Sequence, residues 1–85
     1  MSQQHDLKVY PKFWRELVSG RKPFELRRDD RNFRVGDTVS LREFDPKHGF
    51  TGAGPYIREI TYILRNEDIP VGLQPGYCVL GFAGA

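Results

Sequence analysis

The residues best suited to chemistry are concentrated in one short segment, GRKPFELRRDDRNF, at positions 20–33. Within it, Lys22, Glu25 and Arg27 follow one another at spacings of three and two residues. A carboxylate placed between two cations can hold both by charge-assisted hydrogen bonds, which leaves their other N–H donors free for a phosphate oxygen or a base edge. The segment therefore predicts an anion-binding surface, and an ordinary ion-paired strand surface is the alternative interpretation.

The basic residues are unevenly distributed along the chain. Nine lysines and arginines lie between Lys8 and Arg34 against four acids, a balance of +5, whereas the remaining residues have a balance of −3. Nine of the thirteen basic residues are arginines, whose planar guanidinium suits bidentate phosphate contacts and stacking on bases. This asymmetry predicts one basic surface region.

Metal and cofactor chemistry receive no support from the sequence. His5, His48 and Cys78 show none of the paired spacings of a zinc or calcium site, and both histidines are expected at the surface. The glycine-rich segment GFTGAGP lacks the lysine and the following helix of a phosphate-binding P-loop, so it predicts a hairpin loop. We expect no metal and no cofactor.

Nucleophilic catalysis by a serine is also not indicated. Ser19 and Ser40 are the serines beyond the N-terminus, and neither lies in a recognisable nucleophile elbow. Lys22 is the one candidate nucleophile, and its alternative role is that of a point charge for an anion. Tyr10 and Trp14 could stack on bases. Trp14 is expected in the core, whereas the sequence does not decide between a core role and a stacking role for Tyr10.

One helix is predicted near the start, directly after a first strand at LKVY. Pro11 suits the first helical turn, and Gly20 follows at the position of a left-handed cap. Between them, Phe13, Trp14, Leu17 and Val18 form one apolar stripe. We therefore expect a helix over residues 11–19.

The rest of the chain has the alternating patterns of β-strands. PFELR predicts a strand that directs Phe24 and Leu26 into the core and Glu25 and Arg27 to the opposite face. TVSLREF and YCVLGFA predict further strands, and YIREITYILR predicts a long strand bent or bulged in its middle. We expect a mainly β (α+β) fold of about five to six strands that curls into a small closed or nearly closed barrel.

Length and composition predict a single domain over residues 1–85, with its core at about residues 5–83. One cysteine permits no internal disulfide, which fits a reducing compartment. No apolar run approaches the roughly 20 residues of a membrane span, so we expect a soluble, cytoplasmic protein with no membrane partner.

The segment GRKPFELR matches the G-x-K-x-x-E-x-R signature of ASCH domains, small relatives of the PUA-like barrels. The longer stretch from HDLKVY through RNFRVGD to REFDP, with the later GFTG, ITYIL and GYCVLGF, resembles the DUF3850 family, an ASCH-like group. The resemblance extends from His5 to Phe82. It implies a PUA-like β-barrel with one helix after the first strand.

The resemblance also implies RNA binding in a cleft lined by the signature residues, here Lys22, Glu25 and Arg27. With the neighbouring charged residues, the predicted site for RNA or a nucleotide-like ligand comprises Lys8, Arg21, Lys22, Glu25, Arg27, Arg28, Asp30 and Arg31. The first alternative is a small metal-independent hydrolase, a ribonuclease or modified-nucleoside amidohydrolase, that uses Lys22 and Glu25. In the amidohydrolase pattern a threonine stands where Glu25 stands here, so no catalytic residue is assigned. The second alternative is an accessory domain whose basic surface binds an acidic protein.

Overall fold

The computed structural model describes residues 2–84. In chain order, this range contains β1 (Gln4–Val9), α1 (Pro11–Val18), β2 (Phe24–Arg28), β3 (Thr38–Asp45), β4 (Gly49–Phe50), β5 (Tyr56–Arg65), a 3-10 turn (Asn66–Asp68) and β6 (Tyr77–Gly84). The protein is therefore mainly β with one helix after the first strand, as the sequence predicts.

The strands form one mixed sheet in the order β1-β3-β5-β6-β2, with β4 paired to β3 as a short hairpin. β1 and β3 are parallel, and the other pairs are antiparallel. The first and last strands in this order, β1 and β2, do not pair with each other, so the sheet is open. The predicted closed barrel is thus not confirmed.

The core lies on one face of this sheet. In β1 the inward positions are His5, Leu7 and Val9, and their register partners in β3 include Val39 and Leu41. The buried cluster consists of Leu7, Val9, Leu17, Phe33, Val39, Leu41, Ile60, Ile63, Cys78, Leu80 and Phe82. Full burial of one such aliphatic side chain stabilises the fold by about 1.5–3 kcal/mol, so burial of this cluster is a main contribution to the stability of the sheet.

Helix α1 covers the core with a narrower stripe than its sequence predicts. Pro11 lies in its first turn, and Leu17 is the buried residue of its apolar face. Trp14 is half-buried and packs against the core, which agrees in part with its predicted core role. Phe13 remains 39% exposed, so one aromatic ring of the helix faces solvent.

The long strand β5 contains the predicted irregularity. Its pairing with β6 shifts register between Ile60 and Tyr62, which is the signature of a bulge. The hairpin turn lies at residues 46–48, between β3 and β4, and so just before the GFTGAGP segment for which the sequence predicts a hairpin loop. The GFTGAGP segment instead forms β4 and the connection to β5. At its end, Gly54 has φ +99°, and a Cβ there would lie 2.7 Å from the carbonyl oxygen of Leu41, so only glycine fits.

The expectation of a surface position for His5 is wrong. Its ring is buried, donates from Nε2 to the Asp37 carboxylate at 2.8 Å, and packs edge-to-face on Phe33. The strand alternation carries this imidazole inward, and a buried carboxylate satisfies it. His48 is exposed, as predicted. Among residues 2–84, no helix is long and apolar enough to cross a bilayer.

Candidate nucleic-acid interface

The signature strand β2 presents the opposite face from the one predicted. Glu25 is 6% exposed, whereas Phe24 and Leu26 are 46% and 59% exposed. The assignment of Phe24 and Leu26 to the core is therefore wrong. In the antiparallel ladder, Glu25 lies opposite Leu80, which is fully buried, and residues directly opposite each other share a face.

The open sheet explains this inversion. β2 is an edge strand, and part of its inner face borders the gap toward β1 instead of a second apolar layer. Charged side chains on that face can meet partners and solvent at the gap, so the usual cost of burying a charge is offset by pairing. The side chains of FELR do alternate between the two faces of β2. Because the sheet is open, however, the charged side chains face inward and the apolar ones face outward.

Glu25 holds the two signature cations. Its Oε1 accepts a hydrogen bond from Lys22 Nζ, and its Oε2 lies 3.6 Å from Arg27 Nη1. Lys22 Nζ also donates to the Phe24 carbonyl at 2.9 Å and lies 5.3 Å from the Phe13 ring centroid. Two of the three ammonium donors are thereby used within the protein, so Lys22 is the most constrained of the signature side chains.

Two arginines link the edges of the open sheet. Arg27 Nη1 donates to the carbonyl oxygen of Lys8 at 3.0 Å, and Arg31 Nη1 donates to that of Asp6 at 2.5 Å. Both acceptors belong to β1, whereas the donors lie in β2 and in the loop after it. Side chains therefore span the gap that a barrel would close with main-chain hydrogen bonds.

The gap forms a cleft of about 430 Å³, here named the edge cleft, which is lined by Lys8, Val9, Tyr10, Phe13, Glu25, Leu26, Arg27 and Phe44. Its volume lies in the range of small-ligand pockets. Tyr10 is 52% exposed and Phe13 39%, so two aromatic faces are accessible beside two cations. Such a combination can bind a planar base and a phosphate together.

The remaining predicted residues are distributed around this cleft. Arg28, Asp30 and Arg31 line an adjoining recess of about 180 Å³, which shares Leu26 and Arg27 with the edge cleft. Arg21 lies outside: its side chain is 78% exposed and makes a loose ion pair with Glu16 at 3.8 Å. The structure therefore places Lys8, Glu25 and Arg27 in the lining of the edge cleft and three residues in the recess beside it. Lys22 pairs with Glu25 but lines a separate recess of about 30 Å³ with Gly20 and Tyr56, and Arg21 lies apart.

The sequence points to one aromatic residue of the site, Tyr10, as a candidate for stacking on bases, but the others are not predicted from it. The sequence predicts Phe13 in the buried stripe of α1 and gives Phe44 no role, yet both line the edge cleft. The sequence does contain an indication for Phe44. In β3 its side chain lies on the same face as that of the exposed Arg42, whereas the buried Val39 and Leu41 lie on the opposite face. An aromatic residue on the polar face of a strand is a candidate for contact with a ligand.

Thiol chemistry is disfavoured at this site. Cys78 lies directly opposite Arg27 in the β2–β6 ladder. Burial raises the pKa of the Cys78 thiol to about 11, and the nearby Asp29 carboxylate adds to the effect. A thiol with such a pKa is almost entirely protonated at neutral pH and is a poor nucleophile. Within residues 2–84, no three histidine, cysteine or acidic side chains cluster to hold a metal ion.

Comparison with known proteins identifies one family. A family model described as "Domain of unknown function (DUF3850)" matches residues 4–82, which include every element described above except the end of β6. A protein of Escherichia phage P2, described as an uncharacterized 12.9 kDa protein in the GpA 3'region, is 36% identical over 44 residues. That match covers 52% of this chain and 40% of the phage protein, so the chain aligns with less than half of that relative.

Proposed function

Since the chain belongs to the DUF3850 family, whose function is unknown, we propose from the geometry of the edge cleft that it binds single-stranded RNA or a nucleotide-like ligand. One observation carries the proposal: accessible aromatic rings line the same cleft as the cations Lys8 and Arg27, and the buried carboxylate of Glu25 pairs with Arg27 there. Bases stack on aromatic side chains, and phosphates pair with arginine and lysine.

Each component has a distinct part in this proposal. Arg27 uses Nη1 for its contacts with Lys8 and Glu25, and a guanidinium carries five N–H donors in all. Its remaining donors are available for phosphate oxygens or a base edge. A base can stack on the exposed rings of Tyr10 and Phe13. The carbonyl and amide groups of that base can then form hydrogen bonds at the rim of the cleft.

We further propose that the fold is an open form of the ASCH/PUA-like barrel and that the protein acts in the cytoplasm, where RNA is available. The helix after the first strand and the signature G-x-K-x-x-E-x-R at Gly20–Arg27 support the fold relationship. The hydrogen bonds from the Arg27 and Arg31 side chains to β1 would then take the place of the main-chain hydrogen bonds that close a barrel.

The proposal is tested by fluorescence anisotropy with a labelled single-stranded RNA octamer and by calorimetry with free nucleotides. Arg27→Ala should weaken binding at least tenfold, about 1.4 kcal/mol, because it removes the central cation of the cleft. Arg21→Ala removes the same charge outside the cleft, and its affinity for the RNA should stay within about twofold of the wild-type value. Thermal melts of both variants check that each is folded at the assay temperature.

Equal losses for both variants, or no binding by the wild-type protein, would contradict the proposal. The RNA recovered from the assay is also analysed by denaturing electrophoresis. Intact RNA agrees with a binding module, whereas cleavage by the wild-type protein would replace the proposal with the hydrolase alternative. DNA of the same sequence serves as the comparison ligand.

A further inference from the structure

A second groove lies next to the edge cleft, on the outer face of β1 and β3. It has a volume of about 230 Å³ and is lined by Asp6, Leu7, Lys8, Ser40, Arg42 and Phe50. Lys8 and Arg42 are register partners across the parallel ladder, so two cations stand side by side on this face. We name this feature the outer groove.

A ridge of two aromatic rings separates the outer groove from the edge cleft. Phe44 lines the edge cleft and Phe50 lines the outer groove, and their rings meet edge-to-face with centroids 5.1 Å apart. Lys8 Nζ lies 4.3 Å from the Phe44 centroid and 5.8 Å from the Phe50 centroid. Among residues 2–84, Lys8 is thus the residue that the linings of the outer groove and the edge cleft share.

From this arrangement we propose that the ligand is a single strand of at least two linked nucleotides, not a free mononucleotide. One base would occupy the edge cleft, the next base would stack on Phe50, and the phosphate between them would contact Lys8 and Arg42. The inference rests on the proposed function and specifies its ligand class.

The order of groups along the surface supports this assignment. A nucleic-acid strand carries planar bases and anionic phosphates in turn, and this surface has the cations Lys8 and Arg42 next to the exposed ring of Phe50. Phe50 is 57% exposed, so its ring is accessible for stacking. Asp6 adds one carboxylate to the outer groove, where it can accept hydrogen bonds from base amino groups or sugar hydroxyls.

The test compares 5′-phosphorylated oligouridylates of one, two and four nucleotides by calorimetry. Affinity should rise about tenfold or more from one to two nucleotides, since stacking of one base on an aromatic ring has an effect of that size. Phe50→Ala should reduce the affinity for the dinucleotide to that for the mononucleotide. Its affinity for the mononucleotide should stay within about twofold of the wild-type value. Phe50→Tyr keeps a ring and should retain the gain.

Arg42→Gln provides a second variant outside the β4 hairpin and should also remove the gain. Equal affinities for one and two nucleotides would overturn the inference while the edge cleft remains a nucleotide site. A loss in Phe50→Ala that is equally large for the mononucleotide would overturn it as well. Absence of binding at every length would overturn both the inference and the proposed function.

Discussion

At the scale of single residues, Glu25 has the greatest influence on the candidate site. Its side chain is 8% exposed and contacts both Lys22 and Arg27. A buried carboxylate is costly unless it is paired, and the same pairing fixes the positions of the cations. The residue therefore contributes to the fold and to the proposed binding surface through one set of contacts.

Glu25→Gln should destabilise the protein by about 1–3 kcal/mol, because Lys22 and Arg27 lose a charged acceptor in a largely buried setting. Leu26→Ala should change stability by about 0.5 kcal/mol or less, because that side chain is mostly exposed. Urea unfolding followed by tryptophan fluorescence measures both. A larger loss for Leu26→Ala would restore the original prediction for the face of β2.

At the scale of the elements, a buried hydrogen-bond network ties β1 to the turn that precedes β3. The Asp37 carboxylate accepts from the Gln3 N–H at 3.0 Å, from His5 Nε2 at 2.8 Å and from the Arg34 N–H at 3.1 Å. Burial alone would raise the pKa of Asp37, but these hydrogen bonds outweigh it, so the pKa lies below its ordinary value. The network holds the start of the parallel β1–β3 pair in register.

The lowered pKa of Asp37 makes this network sensitive to acid. The unfolded chain binds a proton at Asp37 at a higher pH, near its ordinary pKa of about 3.9, than the folded chain does. The stabilisation is therefore complete above that pH and is lost as the pH falls through the folded-state pKa. Asp37→Asn should be less stable than the wild type at pH 7, and the difference should shrink between about pH 5 and pH 2.

Thermal or urea unfolding of both proteins across this pH range measures the difference directly. Asp30→Asn is the matched control, because Asp30 is exposed and its ion pair with Arg31 is loose, at 4.0 Å. A stability difference between wild type and Asp37→Asn that does not change with pH would show that the carboxylate's charge is not responsible.

At the scale of the whole molecule, four of the nine basic residues between positions 8 and 34 line the edge cleft or the recess beside it: Lys8, Arg27, Arg28 and Arg31. The cleft receives Lys8 from β1 and Arg27 from β2, and Arg31 approaches the same edge of β1. The net charge of the chain is only +2, so attraction for a polyanion depends on this local concentration. Binding of a nucleic acid there should release counterions and weaken with salt.

The logarithm of affinity for single-stranded RNA should fall with the logarithm of salt concentration at a slope of about −0.7 per phosphate contact. With three to five contacts, affinity should drop by roughly one to two decades between 50 and 200 mM salt. Lys8→Gln should make the slope shallower by the equivalent of about one contact. Anisotropy titrations at four salt concentrations measure both slopes, and a flat response would contradict an electrostatic role for this surface.

The sequence by itself determined the elements and the identity of the signature residues. The mainly β composition, the helix after β1 and the bulge in β5 all follow from local periodicity and turn residues, which need no knowledge of distant contacts. The grouping of Lys22, Glu25 and Arg27 is what the resemblance to the G-x-K-x-x-E-x-R signature implies, and Glu25 pairs with both cations.

Only the tertiary structure decided which face of β2 is buried, where His5 lies and whether the sheet closes. Alternation separates the two faces of a strand, but which one is covered depends on neighbours far away in the sequence, here β6 for Glu25 and Asp37 for His5. The aromatic ridge of Phe44 and Phe50 arises from strand pairing in the same way. Burial is a property of the assembled sheet, and local pattern cannot specify it for a strand at an open edge.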